Sequence, residues 1–322
     1  MARSRALSSL RFVLGSLASR VATFTGGFLL LTALGTNDAH AFCRTTTVSV
    51  TADYDPVNGC WAEGYVLWWR NACVGYSVDR AASRQVTLTQ AEQMMATAFA
   101  KWTGTACASQ GNTGSRVGID VRDEGPANCA AVQYNQTQGN QHVVFFHDDV
   151  WPYHDSANTL ALTTVTFDPQ TGELYDADME INATVPLALT DPIPDDGYDF
   201  QSIVTHESGH FLGLAHSGDV RATMYAHYNP GTTSMRDLTE DDVSGICAAY
   251  PPDGTRTTSV GSPIVADACD PTPRHGYSTT CAQPSQGCLH MSVGNARPPD
   301  TSVVVLSASA LLLTCLRRRR QR

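Results

Sequence analysis

Residues 206–216 read His206-Glu207-Ser208-Gly209-His210-Phe211-Leu212-Gly213-Leu214-Ala215-His216, the pattern H-E-x-x-H-x-x-G-x-x-H. Positions four apart lie on one face of an α-helix, so His206 and His210 point at one place. Gly213 tolerates the left-handed backbone that ends a helix, and the turn after it returns His216 to the same place. The stretch therefore predicts a helix, a glycine turn and three imidazoles that meet.

Three neutral imidazoles leave one position of a tetrahedral Zn²⁺ open, and zinc in such a site lowers the pKa of bound water to about 7. Glu207 is rotated by about 100° from His206 on the helix. It can therefore take the proton of that water without being a ligand. A bare H-E-x-x-H occurs by chance in helices with solvated histidines, but the added glycine and third histidine make the pattern specific. The motif predicts zinc-dependent hydrolysis of peptide bonds, with one catalytic zinc.

The extended motif resembles that of the metzincin metalloproteases, in which a methionine turn follows the third histidine. Ala222-Thr223-Met224-Tyr225 occupies that place, and Met224 is the candidate. Ser217 directly after the third histidine, and the tyrosine directly after Met224, are similar to the matrixin branch. The resemblance covers roughly residues 85–250.

The resemblance implies an α/β metzincin fold. Its parts are a twisted, mostly parallel sheet with an antiparallel edge strand, an active-site helix, and a small C-terminal subdomain after Gly213. It implies that His206, His210 and His216 bind zinc, that Glu207 is general base and then acid, and that Met224 supports the site from below. The substrate would be a protein or peptide. The alternative is a non-catalytic, zinc-stabilised surface module for binding or adhesion. Glu207 argues against that alternative. A structural zinc site fills its fourth position with a protein ligand, so it has no use for a carboxyl that is not a ligand.

Leu160–Phe167 alternates apolar and polar residues, which predicts a strand. By the resemblance it is the edge strand above the zinc cleft, where an exposed edge can pair with an extended peptide. An ordinary strand without that role is the alternative. Residues 147–155 include two histidines and three aspartates, in a region where matrixins often hold a second, structural zinc.

This chain departs from the matrixin pattern for that second zinc. Leu162 stands where the family has a histidine, and Asp176–Glu180 contains none. We therefore interpret His147, Asp148, Asp149, His154 and Asp155 as solvated loop residues. Ca²⁺ takes oxygen ligands, so a calcium site that uses Asp176, Asp178 or Glu180 stays open.

Capping patterns mark the helices. Thr89–Trp102 has an apolar face at helical spacing, and Thr89 with Glu92 fits a capping box. Asp199 is a candidate N-cap for the helix of the motif. Thr239 and Asp242 open a later helix that resembles the closing helix of matrixins.

Composition divides the chain into four parts. Residues 1–41 read as a secretory signal, with a basic start, an apolar run and the cleavage pattern Ala39-His40-Ala41. The catalytic domain would span 42–250, and a Pro/Gly/Ser/Thr-rich linker 251–300. Residues 301–322 are an apolar run, short for a span of about 20 residues, followed by arginines that would stay cytoplasmic.

That end is similar to the sorting tails of bacterial surface proteins of the myxobacterial type, and a simple C-terminal membrane anchor is the alternative. We expect a protein that is secreted or displayed on the bacterial surface, with membrane contact only through the tail. No pattern in the sequence indicates an oligomeric state.

Ten cysteines, none in a C-x-x-C pair, favour disulfides in an exported chain. Neighbouring pairs, Cys60 with Cys73 and Cys107 with Cys129, are the simplest guesses, and a thiolate ligand at Cys43 is an alternative to its disulfide. Between the signal and the final arginines, 12 basic residues face 30 acidic ones. Nucleic-acid binding needs a basic surface, so the charge excludes a nucleic-acid partner.

Overall fold

A mixed sheet and two helices packed together form the body of the protein. The computed structural model describes residues 42–109, 112–256, 258–259, 261–281 and 290–293. The predicted signal and tail, together with Cys288 and Cys315, lie outside the described residues. Among the residues that are described, no helix is both long enough and apolar enough to cross a membrane.

The described residues contain three α-helices: α1 (Leu88–Thr103), α2 (Phe200–Phe211) and α3 (Glu240–Ala249). The strands are β1 (Cys43–Arg44), β2 (Cys73–Val78), β3 (Ala106–Ser109), β4 (Asn112–Arg116), β5 (Asp120–Asp123), β6 (Val143–His147), β7 (Ala161–Phe167), β8 (Leu174–Asn182), β9 (Leu187–Ala188), β10 (Tyr198–Asp199), β11 (Leu214–Ala215), β12 (Thr255–Arg256), β13 (Ile264–Val265) and β14 (His290–Val293).

The main sheet has the strand order β14-β7-β8-β6-β2-β5. Strands β5, β2, β6 and β8 run parallel to one another, whereas β7 runs antiparallel to β8. Every residue of β2 and β7 is buried, which suits β-branched and aromatic side chains covered on both faces. The predicted α/β class, with a mostly parallel sheet and an antiparallel strand, is confirmed. A short further strand, β14, lies antiparallel on the outer side of β7.

Aromatic side chains join the sheet to both helices. The ring of Tyr76 on β2 lies 4.8 Å from that of Phe99 on α1, and Phe99 lies 5.0 Å from Phe211 on α2. All three residues are at most 2% exposed, and burial of each large apolar side chain contributes roughly 1.5–3 kcal/mol. The aromatic contacts therefore fix α2 against the sheet.

The N-cap of helix α1 lies two residues earlier than the sequence predicts. Its N-cap is Thr87, and the capping box joins Thr87 to Gln90. The predicted capping box of Thr89 with Glu92 is wrong. Thr87 with Gln90 has the same spacing two residues earlier, and the local sequence pattern does not choose between the two boxes. Asp199 caps α2 as predicted, accepting a hydrogen bond from the backbone N–H of Ser202 at 2.9 Å.

Four disulfides connect described residues, and they pair Cys43 with Cys60, Cys73 with Cys269, Cys107 with Cys247, and Cys129 with Cys281. The guesses Cys60–Cys73 and Cys107–Cys129 are wrong. Three of the four bonds join residues 140 to 196 positions apart, and such pairing depends on the tertiary fold. Since Cys43 is in a disulfide, it is not a thiolate ligand.

The first part of the predicted linker lies against the domain. Two disulfides tie Cys269 and Cys281 to it. The side chain of Arg256 is fully buried and donates from Nε to the carbonyl of Trp69 at 2.7 Å. Over the described residues of 251–281 the structure therefore differs from a free linker, because buried hydrogen bonds and covalent bonds hold this apolar-poor stretch in place.

Candidate functional site

The three histidines of the motif meet at the end of α2. One ring nitrogen from each of His206, His210 and His216 lies within 4.8 Å of the others, and these three form the only group of possible metal ligands found among the described residues. Helix α2 carries the first two one turn apart. Gly213 then adopts φ +85° and turns the chain back through β11 to His216. A side chain at Gly213 would come within 2.9 Å of the carbonyl of Leu67.

Backbone carbonyls orient two of the rings. His206 donates from Nδ1 to the carbonyl of Thr223 at 2.7 Å, and His210 donates from Nδ1 to that of Leu214 at 2.9 Å. The proton at Nδ1 leaves Nε2 as the electron-pair donor in both rings. In metal sites a second hydrogen bond of this kind fixes the tautomer and orientation of a histidine ligand.

The electrostatics of the cluster fit a cation. Nε2 of His210 lies 3.2 Å from Nε2 of His216. Burial lowers the pKa of His206, lowers that of His210 further with help from the neighbouring rings, and lowers that of His216 to about 3. A proton between the rings is therefore disfavoured near neutral pH. Three neutral nitrogens that converge are the donor set that Zn²⁺ accepts, so the residues fit the metal that the motif predicts.

Glu207 directly follows His206 on α2, and its carboxyl is not one of the convergent groups. It is 4% exposed, and the hydroxyl of Thr163 on β7 donates to its Oε2 at 2.6 Å. Burial raises the pKa of Glu207 to about 8, while the hydrogen bond from Thr163 acts to lower it. A nearby divalent cation lowers the pKa of a carboxyl, so a bound metal favours the carboxylate that a general base requires.

Met224 packs against α2 at Gly209. It is 2% exposed, and a methyl group built on Gly209 would stand 2.2 Å from its sulfur. Helix α2 and Met224 thus make close contact at Gly209, the residue directly before His210 in the chain. The carbonyl of Met224 accepts from the N–H of Ser217 at 2.7 Å, which ties the methionine turn to the segment after His216.

Asp242 on α3 holds the methionine turn in place. Its carboxylate accepts from the backbone N–H groups of Thr223 at 2.8 Å and Met224 at 3.0 Å, and it also caps its own helix by accepting from the N–H of Thr239. Asp242 is 1% exposed. Because the carbonyl of Thr223 receives the His206 ring, Asp242 connects the closing helix to a ring of the histidine cluster.

The two ends of α2 are anchored separately. At its start, Arg236 donates from Nε and Nη2 to both carboxylate oxygens of Asp199, at 2.7 Å each. At its end, Trp69 donates to the carbonyl of Phe211 and the Tyr250 hydroxyl to that of Leu212, each at 2.8 Å. Carbonyls in the last turn lack partners within the helix, and these side chains supply them.

Two of the acidic residues of β8, Asp178 and Glu180, make hydrogen bonds inside the protein. Asp178 accepts from the N–H groups of Gln133 and Val143, each at 2.9 Å, and Glu180 accepts from His147 at 2.7 Å and Tyr153 at 2.6 Å. Of the proposed loop cluster, Asp148 accepts from Ser83 and Arg84, and His147 lies within β6. The structure therefore brings neither set to the histidine cluster.

Sequence reasoning missed three contacts of the site. The first is the hydrogen bond from Thr163 to Glu207, which depends on the register of β7, and no local pattern reveals that register. Asp242 was found as a helix cap, but its bonds to the methionine turn join residues 18 and 19 positions apart. Trp102, at the end of the apolar face predicted for Thr89–Trp102, also donates to the carbonyl of Thr205 at 2.8 Å.

Comparison with known proteins agrees with this geometry. A family model described as Matrixin matches residues 68–251, more than half of the chain. Metalloendoproteinase 1-MMP of Arabidopsis thaliana is 25% identical over 240 residues, which cover 73% of this chain and 57% of the plant protein. Human matrilysin is 36% identical over 115 residues, 35% of this chain and 38% of matrilysin. The chain spans less than two thirds of either relative. Since the matched region takes in strands β2, β5, β6, β7 and β8 of the main sheet, both packed helices and the histidine cluster, the chain belongs to the matrixin family.

Proposed function

We propose that the protein is a zinc-dependent endopeptidase that hydrolyses peptide bonds in proteins or peptides. His206, His210 and His216 would hold the zinc, and Met224 would support them from below. The observation that carries the proposal is a buried carboxyl that is not one of the convergent ligands: Glu207 directly follows His206 on α2 and accepts a hydrogen bond from Thr163. A purely structural metal site has no use for such a group.

When bound, a zinc ion with three histidine ligands supplies a Lewis acid that polarises the scissile carbonyl and makes water more acidic. Glu207 takes a proton from the attacking water and later delivers it to the leaving amine. The hydroxyl of Thr163 keeps the carboxyl oriented during both transfers. Strand β7 presents backbone groups next to this carboxyl, and an extended substrate would align there by strand addition.

We also propose export of the protein. Four disulfides within the described residues are typical of an oxidising compartment. The leader pattern of residues 1–41 and the sorting-tail pattern of 301–322 support secretion or display at a bacterial cell surface. The catalytic domain would be 42–250, and residues 251–281 add a covalently attached extension.

The test is cleavage of an unfolded protein by the purified enzyme and by Glu207→Gln, with zinc content measured on the same samples. Glu207→Gln should keep one zinc per chain and lose nearly all hydrolysis, since general acid–base catalysis contributes about 10²–10⁴-fold. Glu240→Gln, a change at an exposed glutamate of α3, is the matched control and should keep full activity. A wild-type protein that binds zinc and cleaves nothing would contradict the proposal and favour the zinc-stabilised binding module.

A further inference from the structure

The outer side of β7 carries a second strand from far along the chain. Strand β14 (His290–Val293) pairs antiparallel with β7, and the register sets His290 against Thr166 and Val293 against Thr163. The opposite side of β7 is paired with β8. With β14 in place, both sides of β7 are therefore occupied by backbone from this chain.

The register brings β14 to the candidate catalytic group. Val293 is paired with Thr163, the residue whose hydroxyl donates to Glu207 at 2.6 Å. Strand β14 therefore runs along β7 from Thr166 toward the position of Glu207. A free strand edge offers a row of N–H and C=O groups, and an extended peptide adds to such an edge through main-chain hydrogen bonds. Strand β14 takes the place where that peptide would lie.

We propose that His290–Val293 is an intramolecular occupant of the peptide-binding edge of β7 and competes with extended substrates for it. The inference rests on the proposed function in taking peptides as the ligands of this edge. The occupant is recognised through its backbone, so the edge accepts an unrelated peptide in the same way once β14 leaves.

A disulfide keeps the occupant near its site. Cys281 is bonded to Cys129 on the body of the domain, and eight residues separate Cys281 from His290 in the sequence. A short tether of this kind gives an effective concentration of about 1 mM. If the untethered four-residue strand bound with a dissociation constant of about 0.1 mM, a weak value on the affinity scale, an effective concentration of about 1 mM would raise the apparent dissociation constant of a competing peptide roughly tenfold.

The test variant is Met291→Pro/Ser292→Pro in the full chain. Successive residues of an antiparallel strand alternate in pointing their N–H groups to the partner. Two consecutive prolines therefore remove at least one ladder donor. The matched control is Met291→Val/Ser292→Thr, which keeps both N–H groups and strand propensity. Thermal unfolding of both variants checks that the domain is intact.

The first readout is amide hydrogen exchange at those of residues 163–166 whose N–H groups face β14 and not β8, and it does not depend on activity. Exchange should be at least tenfold faster in the proline variant than in the control. The second readout is the affinity of a labelled extended peptide for the zinc-loaded protein in the Glu207→Gln background, where no turnover occurs. The proline variant should bind the peptide about tenfold more tightly than the control.

Equal exchange and equal peptide affinity in the proline variant and the control would overturn the proposal. Faster exchange with no peptide binding in any variant would also overturn it, because the edge would then not be a peptide site. Tighter peptide binding by the proline variant, together with a wild-type protein that cleaves nothing, would support competition at β7 and contradict only the endopeptidase function.

Discussion

Thr163 offers the sharpest single-residue prediction for the site. Its hydroxyl is the hydrogen-bond donor to Glu207 Oε2, at 2.6 Å, and both residues are buried. Thr163→Val replaces this hydroxyl by a methyl group of similar size, so the packing on β7 is kept. The change leaves the Glu207 carboxyl in a buried place without the donor that orients it.

The size of the expected loss in rate follows from the charge on the hydrogen-bond acceptor, the Glu207 carboxylate. A hydrogen bond to a charged group contributes about 1.5–3 kcal/mol, and each 1.36 kcal/mol in a barrier is tenfold in rate. If the bond is needed only while Glu207 handles the proton, kcat should fall roughly 10- to 100-fold and KM should change less than about twofold. A loss confined to kcat is the signature of an interaction made in the transition state.

The assay is steady-state hydrolysis of a fluorogenic peptide by the zinc-loaded protein. Thr163→Ser keeps the hydroxyl and should retain kcat within a few-fold. Thr164→Val changes the next residue of β7, whose side chain points to the other face of the strand, and should leave kcat unchanged. Full kcat in Thr163→Val, or an equal loss in Thr163→Ser, would refute the role of the hydroxyl.

Three further predictions concern groups around the site. Asp242→Asn removes an acceptor of the N–H groups of Thr223 and Met224, so zinc affinity measured by chelator competition should fall about 10- to 100-fold; unchanged affinity would contradict this. Gly209→Ala places a methyl group against the sulfur of Met224 and should lower the free energy of unfolding, measured in urea, by about 1–3 kcal/mol. A higher free energy of unfolding would show that the space beside Gly209 is free. Burial lowers the pKa of His142 from 6.5 to about 4, so as pH falls this ring takes up a proton in the unfolded chain before it does so in the folded protein. The stabilisation of the folded state by the neutral ring is therefore fully present above pH 6.5 and is lost as pH falls to 4. Relative to His142→Phe, the free energy of unfolding should drop by about 3 kcal/mol between pH 7 and pH 4, and a constant difference would argue against a buried neutral ring.

Local pattern predicts the parts of this protein that local physics determines. The spacing of His206 and His210, the left-handed turn at Gly213 and the cap at Asp199 each depend on a few neighbouring residues, and the structure has them as predicted. The mixed sheet followed from the family resemblance together with the alternation in Leu160–Phe167. The cap of α1 was misplaced because two equivalent capping patterns overlap.

Contacts between distant residues were not predictable in this way. The disulfide Cys73–Cys269 joins residues 196 positions apart, and Thr163 reaches Glu207 across 44 positions. Each depends on strand register and helix packing, which a single sequence does not specify. The same holds for Arg256, whose burial turns a polar stretch of the predicted linker into part of the domain.

The central claim, that one zinc at the three histidines drives peptide hydrolysis, is tested most directly by restoring zinc to chelator-treated protein. Hydrolysis of an unfolded protein should vanish on chelation, return in proportion to added zinc and reach its plateau at one zinc per chain. His210→Ala should bind no zinc at this site and stay inactive throughout. Hydrolysis that survives chelation, or that returns equally in His210→Ala, would contradict the claim.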